Sequence, residues 1–250
     1  MDSEPVVTLK EIQPDIVMIS MHDRKNKNAF SEALVRGLIQ AYQLIDQNHK
    51  YKVVILTGYD TYFSSGGTQE GLLAIYSGKT TFAEVNIYSQ ALDCRIPVIS
   101  AMQGHAIGGG FVMGMYSDFI LFSRESFYTT NFMKYGFTPG MGATYILPKK
   151  LGLSLSEELL IVADTHRGAD LAKRGLPFPV YPRLEVVDQA IQLAKKIAEK
   201  PRLSLITLKD HMVSTIRSKL PAIIEKEVIM HEKTFHQEEV KQRIQELFRN

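Results

Sequence analysis

Tryptophan is absent from this chain, cysteine occurs once, and no apolar run approaches membrane-spanning length. With only Cys94 available, no intrachain disulfide can form, which fits a reducing compartment. Cys94 lies beside Ile96-Pro97-Val98-Ile99 and reads as a buried structural thiol in preference to a nucleophile. A bilayer span needs roughly 20 consecutive apolar residues, so no membrane segment is expected. Charge of one sign is also scarce: 29 basic and 27 acidic residues leave a formal net charge of +2. Basic residues cluster only as pairs such as Lys149-Lys150 and Lys195-Lys196, the pattern of solvated faces, and no nucleic-acid partner is expected. The opening Met1-Asp2-Ser3-Glu4-Pro5 is acidic and has no apolar signal core, so the expected location is cytoplasmic. His22, His49, His166 and His211 fall in polar segments without metal-ligand spacing, and no metal is expected.

What is present suffices for one large core. The chain has 250 residues, 45% of them hydrophobic, with no repeat and no long linker. Strand-like runs at Ile16-Val17-Met18-Ile19, Val53-Val54-Ile55-Leu56-Thr57, 96–102 and Phe119-Ile120-Leu121-Phe122 alternate with helical spacing, which predicts an α/β fold. Leu34, Leu38, Tyr42 and Ile45 mark one helix, with Ser31 placed to cap it and Glu32 at its positive end. Beyond about Leu153 the pattern is almost wholly helical. One helix runs through Ile197 to a stop near Pro201, a second spans 206–216, and Pro221 opens a third. The division expected is a core over residues 1–200 and a helical C-terminal region over 201–250.

Two glycine-rich segments each follow a strand and precede a helix. The first is Tyr62-Phe63-Ser64-Ser65-Gly66-Gly67-Thr68-Gln69-Glu70, and the second is Gln103-Gly104-His105-Ala106-Ile107-Gly108-Gly109-Gly110. Such turns present free backbone N–H groups at a helix N-terminus, where developing negative charge is stabilised. Two donors converging on one carbonyl oxygen make an oxyanion hole. Glycine turns also serve tight packing or phosphate binding, but Gly108-Gly109-Gly110 matches neither the P-loop nor the dinucleotide pattern.

These segments carry a resemblance to the crotonase (enoyl-CoA hydratase/isomerase) superfamily over nearly the whole chain. Lys27-Asn28-Ala29-Phe30 is similar to that family's N-A-[LF] segment. Lys134-Tyr135-Gly136-Phe137-Thr138-Pro139-Gly140-Met141-Gly142 resembles its K-x-G-x-x-P-x-x-G stretch, and Arg167-Gly168-Ala169 with Ala172 and Gly175-Leu176 a further one. The resemblance implies a spiral of β-β-α turns with C-terminal helices packed over the site. It also implies trimeric assembly, as a homotrimer or a dimer of trimers. The thioester would ride on coenzyme A or on the pantetheine arm of a carrier protein, with no resident cofactor. It places the oxyanion donors on Gly67 and Gly109.

The departures narrow the chemistry. Hydratases of this family keep two glutamates over the site. Here the first position carries Val112, and the second falls on Phe132 or, with a slip of one, on Asn131. Hydration needs a base for water and an acid for carbon, so without either glutamate it is not expected. Decarboxylation needs no proton abstraction, because loss of carbon dioxide itself generates the enolate. The string resembles the decarboxylating crotonase homologues of polyketide β-branching cassettes, known from bacillaene-type pathways. That resemblance implies conversion of a 3-methylglutaconyl-acyl carrier protein to the 3-methylcrotonyl form, or a longer-chain equivalent. Two other readings stay open: an enoyl-thioester isomerase, and a silent scaffold that docks the acyl carrier protein.

His231 shares an apolar stripe with Ile224, Val228 and Phe235, where spacing alone describes a core histidine. The narrower resemblance implies a proton donor there. It also implies a lysine after the first oxyanion segment, and Lys79 is the lysine available, although a solvated lysine beside Gly78 fits the residues equally. Tyr76 and Gln69 are weaker candidates for shaping the pocket. Lys25, Lys27 and Arg24 would suit a phosphate-bearing arm or would simply be solvated.

Overall fold

The computed structural model describes residues 5–84 and 86–248. β1 (Val7–Gln13) and β2 (Ile16–Met21) form an antiparallel hairpin, after which α1 (Glu32–Gln47) returns the chain to β3 (Val53–Thr57) beside β2. Ser31 caps α1 as expected, its hydroxyl accepting from the Leu34 N–H at 3.2 Å. A short β4 (Tyr62–Ser64) leads into α2 (Gln69–Tyr76), and α3 (Gln90–Asp93) precedes β5 (Val98–Met102). The same step repeats as β6 (His105–Ile107) and α4 (Gly109–Met115), then β7 (Phe119–Ser123) and β8 (Phe127–Thr129). α5 (Ala143–Leu151), α6 (Leu153–Glu157), β9 (His166–Arg167), α7 (Gly168–Lys173) and β10 (Val180–Tyr181) follow. α8 (Val186–Ala198), α9 (Arg202–Thr234) and α10 (Glu238–Leu247) complete the order.

The strands form two sheets, β1-β2-β3-β5-β7-β10 and β4-β6-β8-β9. From β2 onward the larger sheet is parallel, and β3 and β5 are buried along their whole length. Alternation sends Val54 and Leu56 into the main core, while Val53 and Ile55 meet α8 through Ala190 and Ala194. After the opening hairpin, β3–β4–α2 and β5–β6–α4 each run from a strand of the larger sheet to a strand of the smaller and then into a helix. This is the spiral of β-β-α turns expected.

Two features depart from the sequence reading. β4 and β6 lie inside stretches read as loops, because three-residue strands are too short to show alternation. The C-terminal region has one 33-residue helix, α9, where two were expected, with Pro221 in its interior. A proline there costs about 3 kcal/mol in an isolated helix. Docking of both halves offsets it, since Lys209 and Val213 before the proline and Glu227 and His231 after it are all buried. Pro201 stands at the N-cap of α9, next to the expected division at 200/201. Among the described residues, no helix is long and apolar enough to cross a membrane.

Candidate active site

The site is assembled by the segment at residues 26–30, which ties the first glycine loop to the sheet. The Asn28 side-chain amide donates to the Met21 and Phe63 carbonyls, each at 3.0 Å, and Ser64 Oγ donates to the Asn28 carbonyl at 2.7 Å. The Phe30 N–H reaches the Gly66 carbonyl at 2.7 Å. Asn28 is fully buried and sits at φ 52°, a conformation asparagine tolerates better than most residues.

The two loops touch backbone to backbone, and glycine is what allows it. Gly66 has φ 82°, and a Cβ there would lie 2.6 Å from the Ile107 carbonyl oxygen and 3.1 Å from Gly109 N. A Cβ on Gly110 would lie 2.5 Å from the Ser64 carbonyl oxygen. The Gly66 amide bonds to Ser64 Oγ and the Gly108 amide to the Thr129 carbonyl. Among the described residues, the Gly67 and Gly109 amides have no acceptor. Both line one cavity of ≈ 40 Å³, together with Phe30, Leu72, Phe132 and Met141. Thr68 caps α2 just past Gly67, accepting from the Gly71 N–H at 3.0 Å, and Gly109 is the first residue of α4. Two helix N-termini thus direct positive partial charge at one apolar space.

Beyond Leu72 this space opens into a second chamber of ≈ 140 Å³. Among the described residues, no aspartate, glutamate, lysine or arginine lines either cavity. Phe132 lines the first, as its position in the sequence suggested, and Asn131 lies beside the second loop, where a Cβ on Gly108 would be 2.6 Å from Asn131 Oδ1. Val112 is buried within α4 and is not among the lining residues. On the outer side, Ser65, Asn131 and Tyr135 continue into a surface groove that includes Lys25, Lys27 and Gln69. Gln69 therefore shapes the approach and not the inner pocket. Arg24 is turned away to Asp60 in an exposed ion pair at 2.5 Å.

His231 lies deeper than the sequence reading required. It is 5% exposed, and its Nε2 donates to the Thr138 carbonyl at 2.7 Å. Its ring centroid is 4.9 Å from that of Phe82, which lines both cavities, while His231 itself lines neither. Burial pushes the imidazole pKa down, and the Thr138 carbonyl opposes this. One turn earlier on α9, buried Glu227 accepts from the Gly142 N–H at 2.6 Å, the Thr144 N–H at 3.0 Å and the Thr144 hydroxyl at 2.5 Å. Residues 138–144 are thus clamped to α9 by both side chains. Met141, at φ 62°, is held over the cavity with its carbonyl accepting from the Tyr116 hydroxyl at 2.8 Å.

Lys79 is exposed and lines neither cavity, although its neighbours Thr80 and Thr81 line the second. Tyr76 is not in the pocket. Its hydroxyl donates to Glu238 at 3.0 Å and its carbonyl accepts from His236 Nδ1 at 2.7 Å, so it fastens the end of α2 to the C-terminal helices. Cys94 is half-buried, and burial raises its thiol pKa, as for a structural thiol. Phe82 and Tyr88 carried no signal in the sequence, because the stretch from 77 to 89 has no periodicity. Phe30 and Met141 stood inside motifs already singled out, but nothing in the spacing said that they face the site.

The enoyl-CoA hydratase/isomerase family profile matches residues 11–248. The bacillaene synthase decarboxylase PksI of Bacillus subtilis is 64% identical over 245 residues, 98% of both chains. A structure from work on a dehydratase/decarboxylase enzyme couple of polyketide β-branching superposes with TM-score 0.97 at 63% identity, covering 98% of this chain and 100% of that one. The ECH2 decarboxylase domain of CurF from Lyngbya majuscula superposes with TM-score 0.94 at 46% identity, covering 97% and 99%.

Proposed function

Because the chain belongs to the enoyl-CoA hydratase/isomerase family, in its decarboxylating branch, we propose that it decarboxylates a 3-methylglutaconyl-acyl carrier protein, or a longer-chain equivalent, during polyketide β-branching. The product is the 3-methylcrotonyl thioester. One observation carries the reading: two acceptor-free amides, Gly67 and Gly109, face a cavity whose described lining has no carboxylate. Such a site can stabilise an enolate but offers no carboxylate base to activate water.

The bond that breaks joins the terminal carboxylate carbon to the γ-carbon. Its electron pair moves through the conjugated system onto the thioester oxygen, and carbon dioxide leaves. The Gly67 and Gly109 amides bind the resulting dienolate oxygen, a contribution of about 3–4 kcal/mol per donor in comparable holes. Carbon is then reprotonated, and His231 is the nearby acid, reached when Phe82 is displaced by the acyl group. Lys79, beside Thr80 and Thr81, meets the substrate carboxylate at the mouth of the chamber. The groove with Lys25 and Lys27 takes the phosphopantetheine arm. The arm arrives with the carrier protein, so the enzyme needs no resident cofactor. The working form is a homotrimer or a dimer of trimers in the cytoplasm.

Mass spectrometry of 3-methylglutaconyl-carrier protein incubated with the enzyme tests this. A loss of about 44 Da supports decarboxylation through the hole, whereas a gain of about 18 Da means hydration and overturns it. An unchanged mass with carrier-protein binding would support the docking scaffold instead.

A further inference from the structure

The second chamber is apolar except for a few hydroxyls, from Thr68, Thr80, Thr81 and Tyr88. Thr68 is committed to the Gly71 N–H, and Thr80 Oγ1 donates to Glu84 at 2.8 Å. Tyr88 differs. It is 5% exposed, its ring centroid lies 5.9 Å from that of Tyr116, and its hydroxyl has no hydrogen-bond partner among the described residues. Tyr42 and Tyr145 carry enclosed hydroxyls without a partner, whereas the Tyr88 hydroxyl is not enclosed and Tyr88 borders the chamber. A phenol on the wall of an apolar chamber with no protein partner is a donor available to a ligand that enters it.

We propose that the Tyr88 hydroxyl is a catalytic group that binds and orients the substrate carboxylate inside the chamber. The inference rests on the decarboxylase reading above. Gly67 belongs to both cavities, so an acyl group with its carbonyl at Gly67 and Gly109 extends past Leu72 toward Tyr88. A neutral donor suits this task. Negative charge leaves the carboxylate as the carbon–carbon bond breaks, so a strong cationic partner held there would stabilise the ground state more than the transition state. A single O–H donor fixes the carboxylate so that the breaking bond overlaps the conjugated system, yet yields as the charge departs. Lys79 is exposed at the mouth, and Tyr88 receives the group inside.

The test uses two unreactive thioesters, 3-methylglutaryl-pantetheine and isovaleryl-pantetheine, which differ only in the carboxylate. Their inhibition constants are measured against wild-type and Tyr88→Phe enzyme. Tyr88→Phe keeps the ring packing on Tyr116 and removes a hydroxyl that holds nothing else, so the fold is retained. The expected result is about tenfold weaker binding of the methylglutaryl compound and unchanged binding of the isovaleryl compound. Equal weakening of both would mean that Tyr88 only packs, and no change in either would mean that the carboxylate lies elsewhere. Each of these overturns the proposal. Binding is read without turnover, so failure of the decarboxylase reading shows separately, as absence of carbon dioxide release from 3-methylglutaconyl thioester.

Discussion

Gly109→Ala keeps the amide donor but alters the space in front of it. The new Cβ would stand 2.7 Å from Met141 Sδ and 2.8 Å from Phe30 Cε2. Comfortable carbon contacts are about 3.7 Å, so the Met141 sulfur must retreat by about 1 Å. Its backbone cannot follow, because the Met141 carbonyl is fixed by the Tyr116 hydroxyl. The thioether therefore moves within the cavity, which is only ≈ 40 Å³. Alanine in place of glycine in a helix gains about 1 kcal/mol, and overpacking costs about 1–3 kcal/mol, so net destabilisation stays near 2 kcal/mol or below. Catalysis suffers more, since displacing the reacting carbonyl by about 1 Å lowers kcat on the order of 100-fold. Steady-state decarboxylation and thermal melting on the same preparation read both effects. Gly110→Ala provides the contrast, because its Cβ meets the fixed Ser64 carbonyl at 2.5 Å and should damage the fold itself. Wild-type kcat in Gly109→Ala would refute the placement of the thioester oxygen.

Other expectations follow from the C-terminal helices. Glu227→Ala leaves the Gly142 and Thr144 amides without their acceptor and should cost about 2–4 kcal/mol in denaturant unfolding. Burial raises the Glu227 pKa above its unfolded value, so its contribution to stability is full below the usual carboxylate range and is lost as pH rises through the raised value. Glu227→Gln should lack that segment of the stability–pH curve. His231 has a depressed pKa, so the unfolded chain takes up the proton first, and stability falls as pH drops below the usual histidine range toward the depressed value. Over that interval kcat should rise as the acid form accumulates, and His231→Ala should slow turnover strongly and abolish both effects. Lys79→Ala should slow turnover without moving the melting midpoint, since Lys79 is exposed; wild-type kinetics would remove it from the mechanism.

The parts of this molecule readable from its sequence are those with a local physical signature. Val53-Val54-Ile55-Leu56 is apolar on both faces because a parallel strand is covered on both, and it appears as β3. Ser31 precedes an amphipathic run and caps α1. Gly66 and Gly110 sit where two backbones approach too closely for a side chain, and Gly108 and Gly109 where the Asn131, Met141 and Phe30 side chains fill the space. The lining of the chamber was not readable, since Phe30, Phe82, Tyr88 and Met141 come from segments whose meeting is decided by the spiral and not by spacing. Tyr76 misled for the same reason: it follows the first loop in sequence, yet its hydroxyl is drawn to Glu238 on the last helix. Pro221 misled because intrinsic propensity favours a break that docking on both sides of it overrides.

The most direct trial of decarboxylation without a carboxylate base is a single-turnover reaction in D₂O with substrate labelled in its terminal carboxylate with ¹³C. The account predicts one labelled carbon dioxide released, and one deuterium fixed on carbon, for every thioester consumed. Deuterium on carbon with the labelled carboxylate retained would contradict it, because an isomerase would then be at work in the same oxyanion hole.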